Sequence, residues 1–450
     1  MAIVGFWGIR AQEEPSSNAL GGFSPSELDS KLRTFEEFRG CLKGFGMAGQ
    51  AAWSSSPCHA GNPMHQPRHS QGVVALPGEM KLLSYIHPAR TFLPCSGVGR
   101  HINGVLSALA VRDDTEVELL CAGEWTGDDG LLPAECPLRS LPMRTFPGKE
   151  SHRERLWKLI NLPKMNRHVM GTADWVYCPM ETRLPVRKVP VAITLHDIQA
   201  FEDSLPWSQT RAHRRNRRMW GMWLPKALRE ARLVFTVSEF SKGRMVELLG
   251  VPEEKIFVSG NGVDTAYFEQ VPGPATMAPP YVLLVGGLRV EKGGRDTLEV
   301  ARLLRGIYPE LEFRVVGMPN DPALVTQAEE LGSFRFLGKV PDSELPGLYR
   351  EAVCLLFLSL YEGFGMPPLE AMACGSPVIC SDQASLPEIV GEAAACFPPG
   401  SVDEVVDRIH ALIESSQLRK EMAMGGQRHS AKFTWERVAA RVVSALADHS

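Results

Sequence analysis

The 450-residue sequence lacks any uninterrupted apolar run approaching the roughly 18 residues that would indicate a membrane-spanning helix. Its amino terminus, MAIVGFWGIRAQEEP, lacks a basic segment and turns acidic soon after an apolar start, unlike a signal peptide. It also lacks an excess of either charge, since the net charge is −4. The composition therefore gives no general argument for a nucleic-acid partner or an anionic membrane.

Paired cysteine motifs are absent as well. Ten cysteines are scattered along the chain without a Cys-x-x-Cys pair, and Cys354, Cys374 and Cys380 lie in apolar contexts. This pattern favours reduced thiols packed as small hydrophobic side chains in a cytoplasmic protein over disulfide bonds.

Residues 1–79 differ from the rest of the chain. They are rich in Gly, Ser, Pro, His and Gln and contain one plausible helix, Ser24–Leu42. The composition predicts a poorly structured N-terminal extension. Because the character of the sequence changes at Met80, we hypothesise that translation begins there, which mass spectrometry of the native protein would test.

From Met80 onward, short apolar segments alternate with longer helical ones. The alternation predicts an α/β protein with two doubly wound, Rossmann-like parallel sheets, one in residues 80–270 and one in residues 281–430. The proline-rich segment Val271–Pro280 is the predicted linker. Ligands bind beyond the carboxyl ends of such strands, so we expect a binding cleft where the two units face each other.

One segment, EGFGMPPLE (Glu362–Glu370), directly follows the apolar strand LLFLSL. Its glycines allow a tight turn and close approach to a ligand, and its prolines suit the first turn of a helix. Glu370 is therefore expected in that first turn, beside free N–H groups that suit a phosphate. With Glu362 it could bind hydroxyl groups on either side of the phosphate, as a nucleotide sugar requires. In the alternative, Glu362 is an acidic loop residue and Glu370 only interacts favourably with the helix dipole. That alternative leaves the glycines and prolines unexplained.

The stretch SLYEGFGMPPLEAMACGSPVICSDQASLPEIVGEAA closely resembles the signature of family 4 retaining glycosyltransferases, which have the GT-B architecture. The resemblance extends from Met80 to the carboxyl terminus. It includes, in the expected order, SGVGRHINGVL, ITLHD, TVSEFSKGRMVELLGVPEEKIFVSGNGVD, VGGLRVEKGG and FTWERVAARV. The last of these resembles the terminal helix that crosses back to the first domain, here expected in residues 431–450.

The resemblance implies roles for matching residues. Glu362 would hold donor-sugar hydroxyls, Glu370 would hold the ribose, and Lys292 would neutralise the diphosphate as it departs. His196 would lie near the transferred sugar. The other implied donor-binding residues, including those lining the base, are Gly363, Phe364, Gly365, Met366, Gly338 and Val340. The loop containing Gly97, Gly99 and Arg100 would approach the donor phosphate or the acceptor.

The sequence also departs from the family pattern. Gly287 stands where the family often has arginine, and Arg289, two residues on, is the candidate substitute. No Asp-x-Asp is present, which fits a fold that uses Lys, Arg and a helix terminus where other transferases use a metal. The resemblance therefore implies no metal and no cofactor, because the nucleotide sugar is a substrate.

Several of these residues have structural alternatives. His196 could be a strand-end histidine packed against Asp197, and Lys292 could be a surface lysine, although its place before two glycines favours phosphate binding. The Gly97-x-Gly99 pair could belong to a dinucleotide loop, but Ile102 occupies the third glycine position.

The basic helix Arg211–Leu228 could lie on an anionic membrane or meet a polyprenyl-linked acceptor. A solvated helix face with core tryptophans is the favoured alternative.

The resulting hypothesis is a metal-independent, retaining hexosyltransferase of the 2.4.1 class that acts in glycan or polysaccharide assembly. GDP-mannose is the first candidate donor, followed by UDP-glucose and UDP-N-acetylglucosamine, and a glycan or polyprenyl-linked molecule is the acceptor. The expected location is cytoplasmic, with peripheral contact at the inner face of the membrane left open. One alternative is a sugar-nucleotide-binding protein without turnover, suggested only by Gly287. Another is an NAD-dependent oxidoreductase, which would leave Glu362–Glu370 unexplained.

Overall fold

The computed structural model describes residues 79–91, 96–169, 171, 173–269 and 279–450. These residues all belong to one compact part of the chain, Leu76–Ser450, which contains both sheets. Each sheet with its helices is called a unit. The predicted extension, apart from its last residue, and most of the predicted linker lie outside the described residues.

The first sheet is parallel and has seven strands in the order β3-β2-β1-β4-β5-β6-β7. Its strands are β1 (Met80–Tyr85), β2 (Thr115–Ala122), β3 (Met143–Phe146), β4 (Trp175–Cys178), β5 (Val191–Leu195), β6 (Leu233–Thr236) and β7 (Ile256–Val258). The connecting helices are α1 (Gly97–Ala110), α2 (Glu150–Ile160), α3 (Asn166–Val169), α4 (Arg211–Glu230) and α5 (Glu239–Leu249). The central strands are buried on both faces because helices cover both sides.

The second sheet is also parallel and has six strands in the order β10-β9-β8-β11-β12-β13. Its strands are β8 (Tyr281–Val285), β9 (Glu312–Val316), β10 (Phe334–Gly338), β11 (Cys354–Phe357), β12 (Val378–Ser381) and β13 (Ala395–Phe397). Its helices are α6 (Gly294–Ile307), α7 (Pro322–Leu331), α8 (Leu345–Glu351), α9 (Met366–Ala373), α10 (Leu386–Val390), α11 (Val402–Glu414) and α12 (Ser416–Ser430). A last helix, α13, spans Trp435–Ala447.

The prediction of two doubly wound α/β units is confirmed. The two strands that the sequence did not indicate, β3 and β13, lie at sheet edges and are short and largely half-buried, so they lack an apolar run. Among the described residues no helix is both long and apolar enough to cross a membrane.

The last helix of the chain, α13, packs against α1 of the first unit. A Cβ atom on Gly104 of α1 would lie 2.1 Å from the Trp435 ring, so only glycine fits there. The indole N–H of Trp435 donates to Asp264 Oδ1 at 2.7 Å. The helix that follows the second sheet in the chain therefore packs on the first unit.

A cluster of buried carboxylates lies at the carboxyl end of β1. The Tyr85 hydroxyl is 2.9 Å from Glu150 Oε1 and 3.2 Å from Glu154 Oε1. Burial, reinforced by the charge of Glu154, raises the pKa of Glu150 to about 8. Burial would also raise the pKa of Glu154, but Lys158 and Arg90 outweigh it and lower that pKa to about 2. One of the two carboxyls is therefore protonated near neutral pH.

We expect Glu150→Gln to stabilise the protein at pH 8 and to have little effect at pH 5. The raised pKa of Glu150 in the folded state stabilises the fold at low pH, and this contribution is lost as the pH rises toward 8. Glutamine does not ionise, so the variant avoids that loss. Melting temperatures measured across this range test the expectation, with Asp128→Asn, at an exposed position, as the control. A difference from wild type that does not change with pH would contradict it.

Candidate active site

Glu362 and Lys292 form an ion pair at the carboxyl edge of the second sheet. Lys292 ends the 3₁₀ turn Val290–Lys292 after β8, and Glu362 follows β11, the strand that pairs with β8. Glu362 Oε1 also accepts a hydrogen bond from Ser359 Oγ at 2.6 Å. Because the two charged side chains remain 16% and 18% exposed, a ligand can reach both.

The loop after Glu362 is held by contacts from both units. A Cβ atom on Gly363 would lie 2.1 Å from the His196 carbonyl oxygen, so the backbones meet closely at this point. The Gly363 carbonyl accepts hydrogen bonds from Ser238 Oγ at 2.7 Å and Ser241 Oγ at 3.2 Å, both at the start of α5. The close approach that we expected Gly363 to make with a ligand is made here with the first unit.

The rest of the loop turns at Gly365, whose φ of +107° favours glycine. Ser385 Oγ lies 3.0 Å from the carbonyl oxygens of Glu362 and Phe364. The Phe364 ring is buried, with its centroid 6.2 Å from that of Phe433. The side chain of Phe364 therefore packs in the interior and leaves only its backbone for the donor role.

The prediction that Glu370 lies in the first turn of its helix is wrong. Gly365 is the N-cap and α9 already begins at Met366, so Glu370 is its fifth residue. The carboxylate is fully buried and bonds to Arg100 Nη1 at 2.7 Å and to the Tyr349 hydroxyl at 3.0 Å. Burial raises the pKa of Glu370, and Arg100 and Tyr349 oppose that shift by stabilising the carboxylate.

Arg100 joins the glycine loop of the first unit to the second sheet. Its Nη1 bonds to Glu370, and its Nη2 lies 2.7 Å from Asp342 Oδ1, beyond the end of β10. Gly97 is close to the second unit too, since a Cβ atom there would lie 3.9 Å from Met366 Cγ. Gly99 instead faces its own unit, where a Cβ atom would lie 2.1 Å from the Arg90 carbonyl oxygen.

His196 lies at the end of β5 with a buried ring. Its Nε2 donates to the Pro179 carbonyl at 3.2 Å, and its backbone N–H donates to Glu181 Oε1 at 3.2 Å. The ring meets the His101 ring edge-on, with centroids 4.7 Å apart. Burial and the neighbouring His196 lower the pKa of His101 well below its ordinary value, so His101 is neutral.

The residues after β8 and β10 complete this edge of the sheet. Burial lowers the pKa of Arg289, while the charges of the Glu291 and Glu362 carboxylates oppose that shift. Gly338, with a φ of +66°, ends β10, and its carbonyl accepts from the Gly317 N–H at 2.7 Å. Val340 is half-buried two residues further on.

Gly287 has a structural reason to be glycine. Its φ is +81°, and a Cβ atom there would lie 2.5 Å from the Met318 carbonyl oxygen. Backbone packing therefore explains why arginine is absent at this position. The absence does not support a binding protein without turnover.

We expect Gly287→Arg to destabilise the fold by at least about 1 kcal/mol, because a side chain would be strained at that φ and would press on Met318. Thermal unfolding measures the change. Gly306→Arg is the matched control, since a Cβ atom there meets nothing within 4 Å in α6. Equal melting temperatures for the two variants would contradict the steric account.

Several residues of this site escaped the sequence-based prediction. They are His101, Ser238, Tyr349, Ser359 and Ser385. His101, Ser238, Ser359 and Ser385 lie within the stretches that resemble the family, but no role was assigned to them there. Tyr349 lies outside those stretches, and nothing in its local sequence indicates that it reaches Glu370.

The geometry gathers three cationic groups and two carboxylates at the facing edges of the two sheets. Lys292 pairs with Glu362, Arg100 pairs with Glu370, and the charge of Glu362 also acts on Arg289. Cations of this kind suit a diphosphate, and the carboxylates can accept hydrogen bonds from sugar hydroxyls.

Comparisons with known proteins agree with this chemistry. The model of "Glycosyltransferase Family 4" matches residues 95–267, and that of "Glycosyl transferases group 1" matches residues 269–429. The chain is 27% identical over 387 residues to the O-antigen chain mannosyltransferase B of Escherichia coli, covering 81% of this chain and 99% of the relative. A second relative, the MMP alpha-(1->4)-mannosyltransferase of Mycolicibacterium hassiacum, is 29% identical over 50% of this chain and 57% of its own length.

Solved structures share the fold. Anabaena HepE in complex with UDP and glucose superposes with a TM-score of 0.59 at 19% identity, covering 82% of this chain and all of HepE. WaaG, a glycosyltransferase involved in lipopolysaccharide biosynthesis, has a TM-score of 0.58 at 16% identity, covering 81% of this chain and 98% of WaaG. These findings favour neither an oxidoreductase nor a protein that only binds sugar nucleotides. The chain belongs to the family 4 glycosyltransferases and is a glycosyltransferase enzyme with the GT-B fold.

Proposed function

We propose that the enzyme transfers mannose from GDP-mannose to a glycan or polyprenyl-linked acceptor, retaining the anomeric configuration and using no metal ion. The observation that carries the proposal is the Lys292–Glu362 pair, anchored by Ser359 at the middle of the second sheet. The mannosyltransferase relatives support mannose as the sugar. Peripheral contact with the inner face of the membrane belongs to the same proposal.

In the proposed reaction, the bond between the sugar C1 and the diphosphate oxygen breaks while the acceptor oxygen bonds to C1 from the same face. The acceptor proton moves to the departing phosphate oxygen, so no enzymic base is required. Lys292 stabilises the negative charge that grows on that phosphate, with Arg289 beside it. Glu362 accepts hydrogen bonds from the sugar hydroxyls and fixes the orientation of C1.

Glu370 receives the ribose hydroxyls in this proposal. Its two oxygens accept hydrogen bonds from Arg100 and Tyr349. Because the carboxylate is fully buried, the ribose reaches it only when Arg100 moves aside, and the second lone pair of each carboxylate oxygen can then accept a ribose hydroxyl. The half-buried Val340 and Gly338, two residues before it, line the base.

A thermal-shift panel on the full chain tests the proposal. GDP, UDP, ADP and NAD are each added with and without EDTA, because a ligand of the native state raises the melting temperature by mass action. We expect GDP to give the largest shift and EDTA to leave it unchanged. A shift with UDP alone would replace GDP-mannose by UDP-glucose or UDP-N-acetylglucosamine as the donor. A shift that EDTA abolishes, or one with NAD alone, would contradict the proposal.

A further inference from the structure

Helices α2 and α4 lie side by side on the first unit. Lys158 of α2 places its Nζ 5.0 Å from the centre of the Trp223 ring of α4. Arg183 connects the carboxyl ends of the two helices. It donates hydrogen bonds to Glu230 Oε2 at 2.9 Å and to the Lys158 carbonyl at 3.4 Å. The outward sides of α2, α4 and Leu162, which follows α2, are called the α2–α4 face here.

The α4 side of this face is strongly cationic. The helix carries seven Arg or Lys side chains and one carboxylate, Glu230, which is paired with Arg183. The exposed cations recur at helical spacing along one side: Arg211, Arg214, Arg215, Arg218, Lys226 and Arg229. Trp223 and Leu224 are buried on the opposite side. The whole chain has a net charge of −4, so this positive stripe is a local concentration of charge.

The same face also exposes apolar side chains. Of the twelve large hydrophobic side chains that are exposed in the described part of the chain, six lie here. They are Leu156, Leu159, Ile160 and Leu162, which are between 42% and 60% exposed, with Met219 and Met222 of α4. Scattered exposed apolar residues need no explanation, but a group of five on two adjacent helices, with Leu162 just after one of them, marks an interaction surface.

We propose that the α2–α4 face binds the surface of an anionic lipid bilayer. Aliphatic side chains enter the headgroup region while the surrounding cations meet lipid phosphates, as in interfacial amphipathic helices. A nucleic-acid backbone would use the cations and leave the aliphatic side chains exposed to water. A two-fold contact with a second copy would place two positive stripes together, which is unfavourable.

This inference rests on the peripheral membrane contact in the proposed function and deepens it by naming the surface and the lipid charge, and it does not depend on which sugar is moved. It would place the first unit against the lipid surface from which a lipid-linked acceptor would be presented. The net negative charge of the remaining surface would help to orient the protein as it approaches the membrane.

Sedimentation of the full chain with lipid vesicles tests the proposal. Vesicles of phosphatidylcholine alone are compared with vesicles that also contain phosphatidylglycerol, at low and high salt. We expect binding only to the anionic vesicles. Arg215→Glu combined with Arg218→Glu should weaken it roughly tenfold or more, because each cation near the surface contributes to binding. Leu159→Ser combined with Ile160→Ser should remove the part of the binding that survives high salt.

Matched controls lie on the second unit, where Arg305, Lys420, Ile307 and Met424 are exposed. Arg305→Glu with Lys420→Glu, and Ile307→Ser with Met424→Ser, should bind like the wild type. Equal binding to neutral and anionic vesicles, or equal loss in test and control variants, would overturn the proposal. A concentration-dependent dimer that the Leu159→Ser and Ile160→Ser pair abolishes would also overturn it, since a second copy would then cover this face.

Discussion

Lys292→Ala is expected to lower kcat/KM for the sugar nucleotide at least tenfold, which corresponds to roughly 1.4 kcal/mol of lost transition-state stabilisation. Lys292 lies beside Glu362 and above the Phe357 ring, 5.2 Å from its centre. Negative charge grows on the diphosphate as the sugar leaves, so the interaction is stronger in the transition state than in the bound substrate. The loss should therefore appear mainly in kcat.

Steady-state kinetics at saturating acceptor measure this effect. Lys420→Ala removes an exposed lysine from α12 of the same unit and should leave both constants unchanged. If Lys292→Ala retained full activity with an unchanged melting temperature, Lys292 would not stabilise the leaving group.

Glu362→Gln is also expected to reduce kcat/KM at least about tenfold, since the amide keeps the shape of the side chain but lacks the charge that pairs with Lys292 and that is proposed to hold the sugar hydroxyls. Because Glu362 and Lys292 are paired, the double variant should lose less activity than the product of the two single losses.

A double-mutant cycle on kcat/KM measures that coupling. Glu330→Gln, at an exposed position in α7, is the matched control for the loss of a carboxylate. Strictly multiplicative losses would show that Glu362 and Lys292 act independently and would contradict the paired arrangement.

The fold and the centre of the site were predictable from local sequence. Buried parallel strands produce apolar runs, and Glu362 and Lys292 each follow such a run beside glycines. Residues after adjacent parallel strands meet at one edge of a sheet, so their proximity follows from the pattern. The edge strands β3 and β13 carry no such signal, because their residues are only partly buried.

The contacts between the two units were not predictable from local sequence. Arg100 meets Glu370 across 270 positions of the chain, and Ser238 meets the Gly363 carbonyl across 125. Local patterns contain no information about partners at that distance. For this reason the sequence suggested that Glu370 and Gly363 face only a ligand, whereas each also contacts the first unit.

These contacts connect the proposed donor-binding residues to the first unit. The Gly363 backbone presses on the His196 carbonyl, and Arg100 binds Glu370. A donor that engages the loop from Glu362 to Glu370 therefore meets groups that are already in contact with the first unit. Binding of the nucleotide and the relative position of the two sheets are then expected to be coupled.

The central claim is that a nucleoside diphosphate binds beside Lys292 without a metal ion. Calorimetric titration of GDP, and of UDP in parallel, into the wild type, Lys292→Ala and Lys420→Ala in EDTA tests it most directly. GDP carries the phosphate charge that develops during transfer, so the account predicts tight binding to the wild type and to Lys420→Ala. It predicts at least about tenfold weaker binding to Lys292→Ala. Equal GDP affinity in all three proteins, or no binding of either nucleotide to the wild type in EDTA, would contradict the claim.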